Sequence, residues 1–255
     1  MAHTSKIFIF SDMDDTLIQT TRKTNFDKES SVFVVDSEGE PISYIYRSTE
    51  KLLRLGIQNP DVLIIPTTAR SLESYRRTAF YTDSSYATHI KYAILNFGGV
   101  ILNHGVVDRD WQEFIITQYN NLSTKIEIMY DNIILLMLEK LSVEHGLKIR
   151  LMDGLYVDVL NKKDKLDEVY NCTIEQILRE YLKNSKEYYL YTNGPSFALL
   201  PHFLNKSLAV RHLLEKYKPL LSMGAGDNTN DLDFMFETDF LIIPNRSHNA
   251  RRLKA

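Results

Sequence analysis

Three acidic side chains are crowded into four positions directly after an apolar run near the start of this 255-residue chain. The stretch reads IFIFSDMDDT, in which Asp12, Asp14 and Asp15 precede Thr16. Neighbouring carboxylates repel one another, and a carboxylate beside a buried strand loses hydration. The cluster is therefore either a solvated turn or a site in which positive charge lies among the acids.

Two later loops also carry polar groups directly after an apolar segment. One loop follows DVLIIP and the other follows LLSMGAG, and their polar residues are Thr67, Thr68, Arg70, Asp227, Asn228, Asn230 and Asp231. In open α/β sheets, ligands bind outside the carboxyl ends of the parallel strands. If the sheet is parallel, the three loops converge, and their carboxylates form a hard, oxygen-rich site suited to Mg²⁺.

Each loop taken alone has a simpler interpretation. Asp and Asn are common after strands because they cap helices and form turns. A calcium-binding EF-hand loop starting at Asp227 is excluded, since its sixth and twelfth positions are Leu232 and Thr238 and not Gly and Glu. A P-loop is excluded as well, because no glycine-rich run ends in Lys-Ser or Lys-Thr.

Together the loops resemble the four motifs of the haloacid dehalogenase superfamily of phosphohydrolases. DMDDT, residues 12–16, matches Asp-x-Asp-x-Thr, and TAR, residues 68–70, matches the second motif. Lys206 in FLNKSLAVRHLL matches the lysine of the third motif, and GDNTND, residues 226–231, matches the fourth. An αββαββ insertion between the second and third motifs resembles the cap of the Cof-like and sucrose-phosphatase-like branch. The order of the motifs agrees over the whole chain.

The resemblance implies a role for each reactive side chain. Asp12 would be the nucleophile that forms an aspartyl-phosphate intermediate. Asp14 would protonate the leaving oxygen and then activate water, which requires a proton on Asp14 at the first step; a neighbouring carboxylate favours that proton. Thr68 would donate a hydrogen bond to the phosphoryl group, and Lys206 would place positive charge beside its oxygens and restrain Asp12.

Mg²⁺ is the cofactor that the resemblance implies. Its ligands would be the side chains of Asp12 and Asp227 and the backbone carbonyl of Asp14. A bound cation removes the repulsion between an anionic nucleophile and a phosphate monoester. Asn230 and Asp231 would orient these ligands or the lysine.

Three features of the catalytic region each have two interpretations. Arg70 either reaches a substrate anion or caps the sheet edge. Asp15 stands where the family commonly has Gly, and we assign it to turn chemistry in preference to a direct role. The segment 32–46, which follows the first motif, is either a flap over the site or an extension of a sheet edge.

The elements that position these residues are predicted by the alternation of strands and helices. This alternation predicts an α/β fold with a Rossmann-like, doubly wound parallel sheet as its core. The segments expected as its strands are KIFIFSD, DVLIIPTTARS, LLSMGAGD and DFLIIPN. Residues 32–46 predict a hairpin, residues 48–56 a helix capped by Ser48 and ended by Gly56, and residues 71–80 a further helix.

The middle of the chain predicts a separate domain. A long, mostly helical segment is followed by a hairpin turning at residues 153–154, an amphipathic helix, and a second hairpin turning at residues 193–194. This αββαββ unit has its own antiparallel sheet. We predict a core of residues 1–106 and 200–255 and an inserted α+β cap domain of residues 107–199, which closes over the site and chooses the leaving group.

Composition and charge exclude several classes of partner. The chain has 44% hydrophobic and 25% charged residues and a formal net charge of −3, so no strong field favours nucleic acid or an anionic membrane. The single cysteine, Cys172, allows no internal disulfide and fits a reducing compartment. The first apolar run is too short for a signal peptide or a membrane span. We expect a cytoplasmic monomer or homodimer.

The sequence thus predicts a Mg²⁺-dependent phosphatase of a small phosphorylated metabolite, with a sugar phosphate as a candidate by analogy of fold. One alternative is a phosphomutase that shares the aspartyl-phosphate step and returns the phosphate to its substrate. The other is a non-catalytic regulatory protein that retains the fold, for which no Mg²⁺-dependent turnover is expected.

Overall fold

The computed structural model describes residues 5–20, 30–141, 146–162 and 168–254. The chain divides into two compact units, of which the first contains residues 1–112 and 205–255 and the second residues 113–204. Among the helices in the described part of the chain, none is both long and apolar enough to cross a membrane.

In its described residues the first unit begins with eight strands and four α-helices, and a fifth α-helix continues into the second unit. The strands are β1 (Ile7–Ser11), β2 (Ile18–Thr20), β3 (Ser31–Val35), β4 (Pro41–Ile45), β5 (Val62–Pro66), β6 (Tyr92–Leu95), β7 (Val100–Asn103) and β8 (Val106–Val107). The helices are α1 (Arg47–Gln58), α2 (Leu72–Tyr75), α3 (Ala79–Thr82), α4 (Ser84–Ala87) and α5 (Arg109–Asn120).

The second unit alternates helices with pairs of strands, and the first unit then resumes. The second unit contains α6 (Ile126–Lys140), β9 (Leu147–Met152), β10 (Tyr156–Asn161), α7 (Glu168–Leu182), β11 (Tyr188–Asn193) and β12 (Ser196–Pro201). The first unit ends with α8 (Lys206–Tyr217), β13 (Leu221–Ala225), α9 (Leu232–Met235), β14 (Phe240–Ile242) and α10 (His248–Leu253).

A parallel sheet in the order β14-β13-β1-β5 forms the centre of the first unit, which confirms the predicted α/β core. Strand β1 lies between two neighbours, and its Phe8 and Phe10 side chains are buried. The register pairs Ser11 with Pro66 on one side and with Ala225 on the other. The loops that follow β1, β5 and β13 therefore leave the sheet at the same edge.

Helix α1 is longer than the sequence predicts at both ends. It begins at Arg47, after an N-cap at Tyr46, so the prediction that Ser48 caps it is wrong. It also continues past Gly56 to Gln58. A Cβ atom at Gly56 would lie 2.9 Å from Cδ1 of Ile64, so this glycine allows α1 to pack closely on β5 and does not end the helix.

The segment 71–80 is not one helix as predicted. Helices α2 and α3 are separated near Thr78, whose backbone is extended with φ −94° and ψ 155°. Thr78 is buried and forms an isolated antiparallel bridge with Val34 of β3. The extended residue needed for this pairing interrupts the helical run.

The predicted hairpin of residues 32–46 is confirmed, since β3 and β4 pair antiparallel. Strand β4 also pairs with β2, which makes a small three-stranded sheet. Phe33 packs edge to face on Phe80 with ring centroids 4.9 Å apart, and on Tyr86 at 5.6 Å. The hairpin is thus anchored to α3 and α4 as an extension of the first unit.

The second unit has the antiparallel sheet that the sequence predicts, in the order β11-β12-β10-β9. Both hairpins form, with Gly154 and Gly194 at positive φ in their turns. The long helical segment that precedes them is two helices, α5 and α6. The break between them is held by Glu187, whose carboxylate accepts hydrogen bonds from the backbone nitrogen and the hydroxyl of Ser123 at 2.9 Å and 2.7 Å.

Candidate active site

The end of β1 places Asp12 at the centre of the sheet edge. Its backbone nitrogen donates to the carbonyl oxygen of Ala225 at the end of β13, at 2.9 Å. On the other side, the backbone nitrogen of Thr67 donates to the carbonyl oxygen of Ser11 at 2.8 Å. The loops after β5 and β13 are therefore pinned on either side of Asp12, as parallel pairing requires.

Lys206 bridges two of the predicted acids. Its Nζ lies 2.8 Å from Oδ1 of Asp12 and 2.9 Å from Oδ1 of Asp231, and all three side chains are largely buried. Lys206 is the first residue of α8, and its position is set by Asn205, whose side chain caps the helix by accepting from the backbone nitrogen of Ser207 at 2.7 Å. The lysine of the third motif thus reaches the first and fourth motifs.

The loop after β13 brings Asp227 and Asp231 to the same place. Carboxylate oxygens of Asp12, Asp227 and Asp231 all lie within 4.8 Å of one another, and the three residues are buried. The loop is closed by a capping box at Asn228 and Asp231. A Cβ atom at Gly226 would lie 2.4 Å from Cβ of Asp231, so only glycine lets the strand end approach this turn so closely.

Burial dominates the electrostatics of Asp12. Desolvation raises the pKa of its carboxyl well above the usual value, and the Lys206 ammonium opposes this shift. The neighbouring carboxylates of Asp231 and Asp14 raise that pKa further. Three buried carboxylates beside one ammonium make a site of net negative charge, and hard oxygen donors of this kind suit Mg²⁺. The donor set therefore fits the metal that the sequence predicts.

The structure places Arg70 on Asp14, a contact that neither interpretation of the sequence names. Its guanidinium donates two hydrogen bonds to the carboxylate of Asp14, from Nη2 to Oδ1 at 2.6 Å and from Nε to Oδ2 at 2.7 Å. Its Nη1 also donates to Oγ of Ser74 at 3.1 Å, which anchors it to α2. The side chain of Asp14 is thus held by Arg70 and lies outside the cluster of Asp12, Asp227 and Asp231.

Thr68 is almost fully buried at the end of β5. Its backbone nitrogen donates to the carbonyl oxygen of Ile94 at 2.9 Å, and its Oγ1 accepts from the backbone nitrogen of Arg70 at 3.2 Å. A hydroxyl that accepts a hydrogen bond can still donate its own proton, so this contact leaves Thr68 able to donate to a phosphoryl oxygen. The predicted role of Thr68 as a donor is compatible with this geometry.

Asp15 has the turn conformation that its position in the motif suggested. Its φ is 64°, in the left-handed region, and its backbone nitrogen donates to the carbonyl oxygen of Ile18 at 2.8 Å. Glycine adopts this region without strain, and Asp is among the few other residues that occur there. The backbone thus explains why glycine is common at this position.

Asn230 differs from its neighbours in the fourth motif because it is exposed. Its backbone nitrogen donates to Oδ1 of Asn228 at 2.8 Å, as part of the capped turn. Asp231, by contrast, contacts Lys206 directly. Asp231 therefore lies among the predicted metal ligands.

Asn249 supports the fourth motif, and the sequence interpretation missed it. Its backbone nitrogen donates to the carbonyl oxygen of Asp227 at 2.9 Å, and its Nδ2 donates to the carbonyl oxygen of Asn228 at 2.7 Å. Asn249 is buried at the start of α10. It lies well beyond the motif in the chain, and no spacing or pattern marks it.

A comparison with protein families decides the relationship that this geometry suggests. The family model described as Sucrose-6F-phosphate phosphohydrolase matches residues 5–252. The chain belongs to this family. The predicted haloacid dehalogenase relationship is thereby confirmed, and the chain is a phosphoric monoester hydrolase of this type. No curated protein sequence matches it.

Solved structures of three phosphatases share the fold at low sequence identity. The sucrose-phosphatase of Synechocystis, solved with sucrose and phosphate, has a TM-score of 0.60 and 16% identity over 98% of this chain and 86% of its own. The trehalose-6-phosphate phosphatase C-terminal domain of C. albicans gives 0.59 and 13% over 91% and 72%. The truncated, IMP-bound IMP-nucleotidase of Plasmodium falciparum gives 0.57 and 12% over 97% and 67%. At these identities the likeness concerns the fold alone.

Proposed function

We propose that this chain is a Mg²⁺-dependent phosphatase that hydrolyses a small sugar phosphate through an aspartyl-phosphate on Asp12. The observation that carries the proposal is the buried cluster of three carboxylates with Lys206 bridging two of them. The sugar is suggested by the family, whose model is described by a sucrose phosphate, and by the Synechocystis structure that holds sucrose and phosphate.

The residues that would hold Mg²⁺ are Asp12, Asp227 and the backbone carbonyl of Asp14, with Asp231 beside them. When bound, the cation supplies the positive charge that offsets repulsion between the nucleophile and the phosphate ester. The remaining roles belong to side chains of the chain itself.

In the first step, a carboxylate oxygen of Asp12 attacks phosphorus. A bond forms between this oxygen and phosphorus while the bond from phosphorus to the sugar oxygen breaks. Asp14 gives its proton to the departing oxygen, which leaves as the free sugar hydroxyl. Lys206 binds Oδ1 of Asp12 and fixes the orientation of the carboxylate during the attack.

In the second step, Asp14 takes a proton from water, and the resulting hydroxide oxygen attacks the phosphorus of the aspartyl-phosphate. The bond between Asp12 and phosphorus breaks, inorganic phosphate is released, and the carboxylate of Asp12 is restored. Thr68 donates to a phosphoryl oxygen, and the ammonium of Lys206 offsets charge on the equatorial oxygens.

Residues 113–204 are proposed as the cap domain that selects the leaving group. The αββαββ order of this unit supports the proposal. Substitutions in this unit are then expected to change KM for sugar phosphates more than the rate with p-nitrophenyl phosphate, whose leaving group carries no sugar. Equal effects on both substrates would argue against this role.

The decisive experiment is a screen of phosphorylated sugars and nucleotides with and without Mg²⁺, in which released phosphate is measured. Wild-type protein is expected to release phosphate only with Mg²⁺, and Asp12→Asn is expected to release none. Activity that survives Asp12→Asn would refute the nucleophile assignment. An isomerised ester in place of free phosphate would indicate a phosphomutase.

A second variant tests Asp14. Asp14→Asn is expected to slow both steps while leaving Mg²⁺ affinity almost unchanged, because its side chain lies on Arg70 and apart from the carboxylate cluster. Titration calorimetry measures the affinity. Loss of Mg²⁺ binding in this variant would show that the side chain of Asp14 is a ligand after all.

A further inference from the structure

The turn of residues 96–98, which connects β6 and β7, has an unusual backbone. Asn96, Phe97 and Gly98 follow one another at φ values of 50°, 55° and 95°. Asparagine adopts left-handed conformations more often than most residues other than glycine, but phenylalanine rarely does, and such a conformation persists only where surrounding contacts impose it. All three residues are buried. The turn 96–98 is therefore held in this shape by what it touches.

One side of the turn 96–98 holds the loop of the second motif. The backbone nitrogen of Asn96 donates to the carbonyl oxygen of Arg70 at 2.8 Å, and that of Phe97 donates to the carbonyl oxygen of Thr68 at 3.3 Å. These two bonds fix the backbone of Thr68, which is proposed to bind phosphate, and of Arg70, which holds Asp14.

The other side of the turn 96–98 touches the start of α8. A Cβ atom at Gly98 would lie 2.5 Å from the carbonyl oxygen of Asn205 and 3.2 Å from the backbone nitrogen of Lys206. The carbonyl oxygen of Gly98 accepts from Nε1 of Trp111 at 2.8 Å, which anchors the turn from behind. The backbone of Gly98 thus lies directly against the residue pair from which Lys206 reaches the acids.

We propose that the turn 96–98 sets the spacing between the loop of the second motif and the start of α8, and that Gly98 is a positioning residue for Lys206. This inference rests on the proposed function for its kinetic consequences. Lys206 must contact Asp12 and Asp231 at once, which leaves little tolerance in the position of its backbone. Displacement of a catalytic group by about 1 Å can cost about 100-fold in rate.

The test is Gly98→Ala, with Gly39→Ala as its matched control. Gly39 has φ 90°, close to the 95° of Gly98, but no atom lies within 4 Å of its Cβ position. Both variants place alanine in a left-handed conformation, and only Gly98→Ala also pushes on Asn205. We expect kcat to fall at least about tenfold in Gly98→Ala with a smaller change in KM, and to stay within about twofold in Gly39→Ala.

Combining Gly98→Ala with Lys206→Ala distinguishes a change in the position of Lys206 from a general disturbance of the active site. If Gly98 acts through Lys206, the Gly98→Ala substitution costs little further rate in the Lys206→Ala background. The same fold-loss in both backgrounds would overturn the proposal, as would a wild-type kcat for Gly98→Ala. Should Gly98→Ala fail to fold, Trp111→Phe removes the hydrogen bond to Gly98 and shortens the aromatic side chain that packs on His212, and it is expected to lower kcat in the same direction by a smaller factor.

A readout that needs no turnover keeps this inference distinct from the proposed function. The rate at which an N-hydroxysuccinimide ester acetylates Lys206 can be followed by peptide mass spectrometry. Gly98→Ala is expected to raise this rate relative to wild type and Gly39→Ala, because the lysine loses its two carboxylate partners. An unchanged rate would overturn the positioning role, whereas a protein without phosphatase activity but with this change would refute the proposed function alone.

Discussion

The guanidinium of Arg70 holds both carboxylate oxygens of Asp14, at 2.6 Å and 2.7 Å. Arg70 is mostly buried, while the side chain of Asp14 is 43% exposed, so the arginine is the fixed partner. The geometry matches the second step, in which an ionised Asp14 accepts a proton from water. Proton donation to the leaving oxygen in the first step requires at least one of these hydrogen bonds to open.

Replacement of Arg70 by lysine is expected to lower kcat by roughly 10- to 100-fold, because an ammonium cannot hold two oxygens in a fixed plane. The loss is expected to be larger with a sugar phosphate than with p-nitrophenyl phosphate, whose leaving group needs less protonation. Steady-state kinetics with both substrates measures the difference.

The matched control for this substitution is Arg211→Lys. Arg211 donates a similar pair of hydrogen bonds to the carboxylate of Glu237, from Nη2 at 2.6 Å and from Nε at 3.1 Å, on an exposed part of the first unit. The Arg211→Lys variant is expected to keep the wild-type kcat on both substrates. A similar loss of kcat in the two variants would mean that the two hydrogen bonds from Arg70 to Asp14 have no special role in catalysis.

Mg²⁺ is expected to stabilise the folded protein through the three buried carboxylates. A ligand at 100 times its Kd adds about 2.7 kcal/mol to the free energy of unfolding. We therefore expect Mg²⁺ to raise the Tm of wild-type protein, and EDTA to reverse the shift. The shift is expected to shrink strongly in Asp227→Asn and to remain in Asp233→Asn, which removes an exposed acid from α9. Equal shifts in both variants would place the cation elsewhere.

Gly226→Ala is expected to impair metal binding and activity together. The new Cβ atom would lie 2.4 Å from Cβ of Asp231 and 2.8 Å from Sδ of Met235, so the capped turn must move. Overpacking of this kind costs about 1–3 kcal/mol of stability. Chemical unfolding and Mg²⁺ titration measure the two effects.

Gly56→Ala is the matched control for Gly226→Ala. Its nearest contact would be the end of the Ile64 side chain at 2.9 Å, which can rotate away. We expect Gly56→Ala to leave Mg²⁺ affinity unchanged. A Gly226→Ala protein with wild-type affinity would show that the close approach at the strand end is unnecessary.

The sequence predicts those parts of the site that depend on strand order. Residues that follow parallel strands meet at one edge, so Asp12, Thr68 and Asp227 could be placed together from periodicity and chain order alone. The resemblance added Lys206, and the structure brings its ammonium to Asp12. The loops after β1, β5 and β13 converge because main-chain pairing imposes their positions, with little dependence on side-chain detail.

Contacts between loops could not be predicted in the same way. A basic side chain after a strand has many possible acceptors, and the choice of Asp14 by Arg70 depends on distances that only the folded loops define. Asn249 and Gly98 act through backbone contacts with residues distant in the chain, and neither belongs to a motif. The sequence predicts that helix α1 ends at Gly56, whereas it continues to Gln58. Gly56 allows close packing against Ile64, and local helix propensity carries no information about that contact.

His212 of α8 provides a pH-dependent contribution to stability. Its ring lies 4.9 Å from that of Trp111, and its buried Nε2 has no hydrogen-bond partner among the described residues. Burial lowers its pKa below the usual value of 6.5, and the ammonium of Lys216 lowers it further. The carboxylates that oppose this shift belong to Asp108, Asp110 and Glu215.

The sign of the effect follows from the lowered pKa. Because the pKa of His212 is lower in the folded protein than in the unfolded chain, the unfolded chain takes up the proton first as pH falls through about 6.5, and the free energy of unfolding decreases. Above that pH the contribution is fully present. His212→Gln is neutral at every pH, so its stability is expected to decrease less than that of wild type between about pH 7.5 and about pH 5.5.

Urea unfolding at the two pH values measures this difference. His89→Gln, which replaces an exposed histidine on the same unit, serves as the control and is expected to retain the wild-type pH dependence. If His212→Gln retains it as well, the ring of His212 is protonated to the same extent in the folded and unfolded states. The unpartnered Nε2 beside Trp111 would then be accessible to water and not desolvated by the packing of α8.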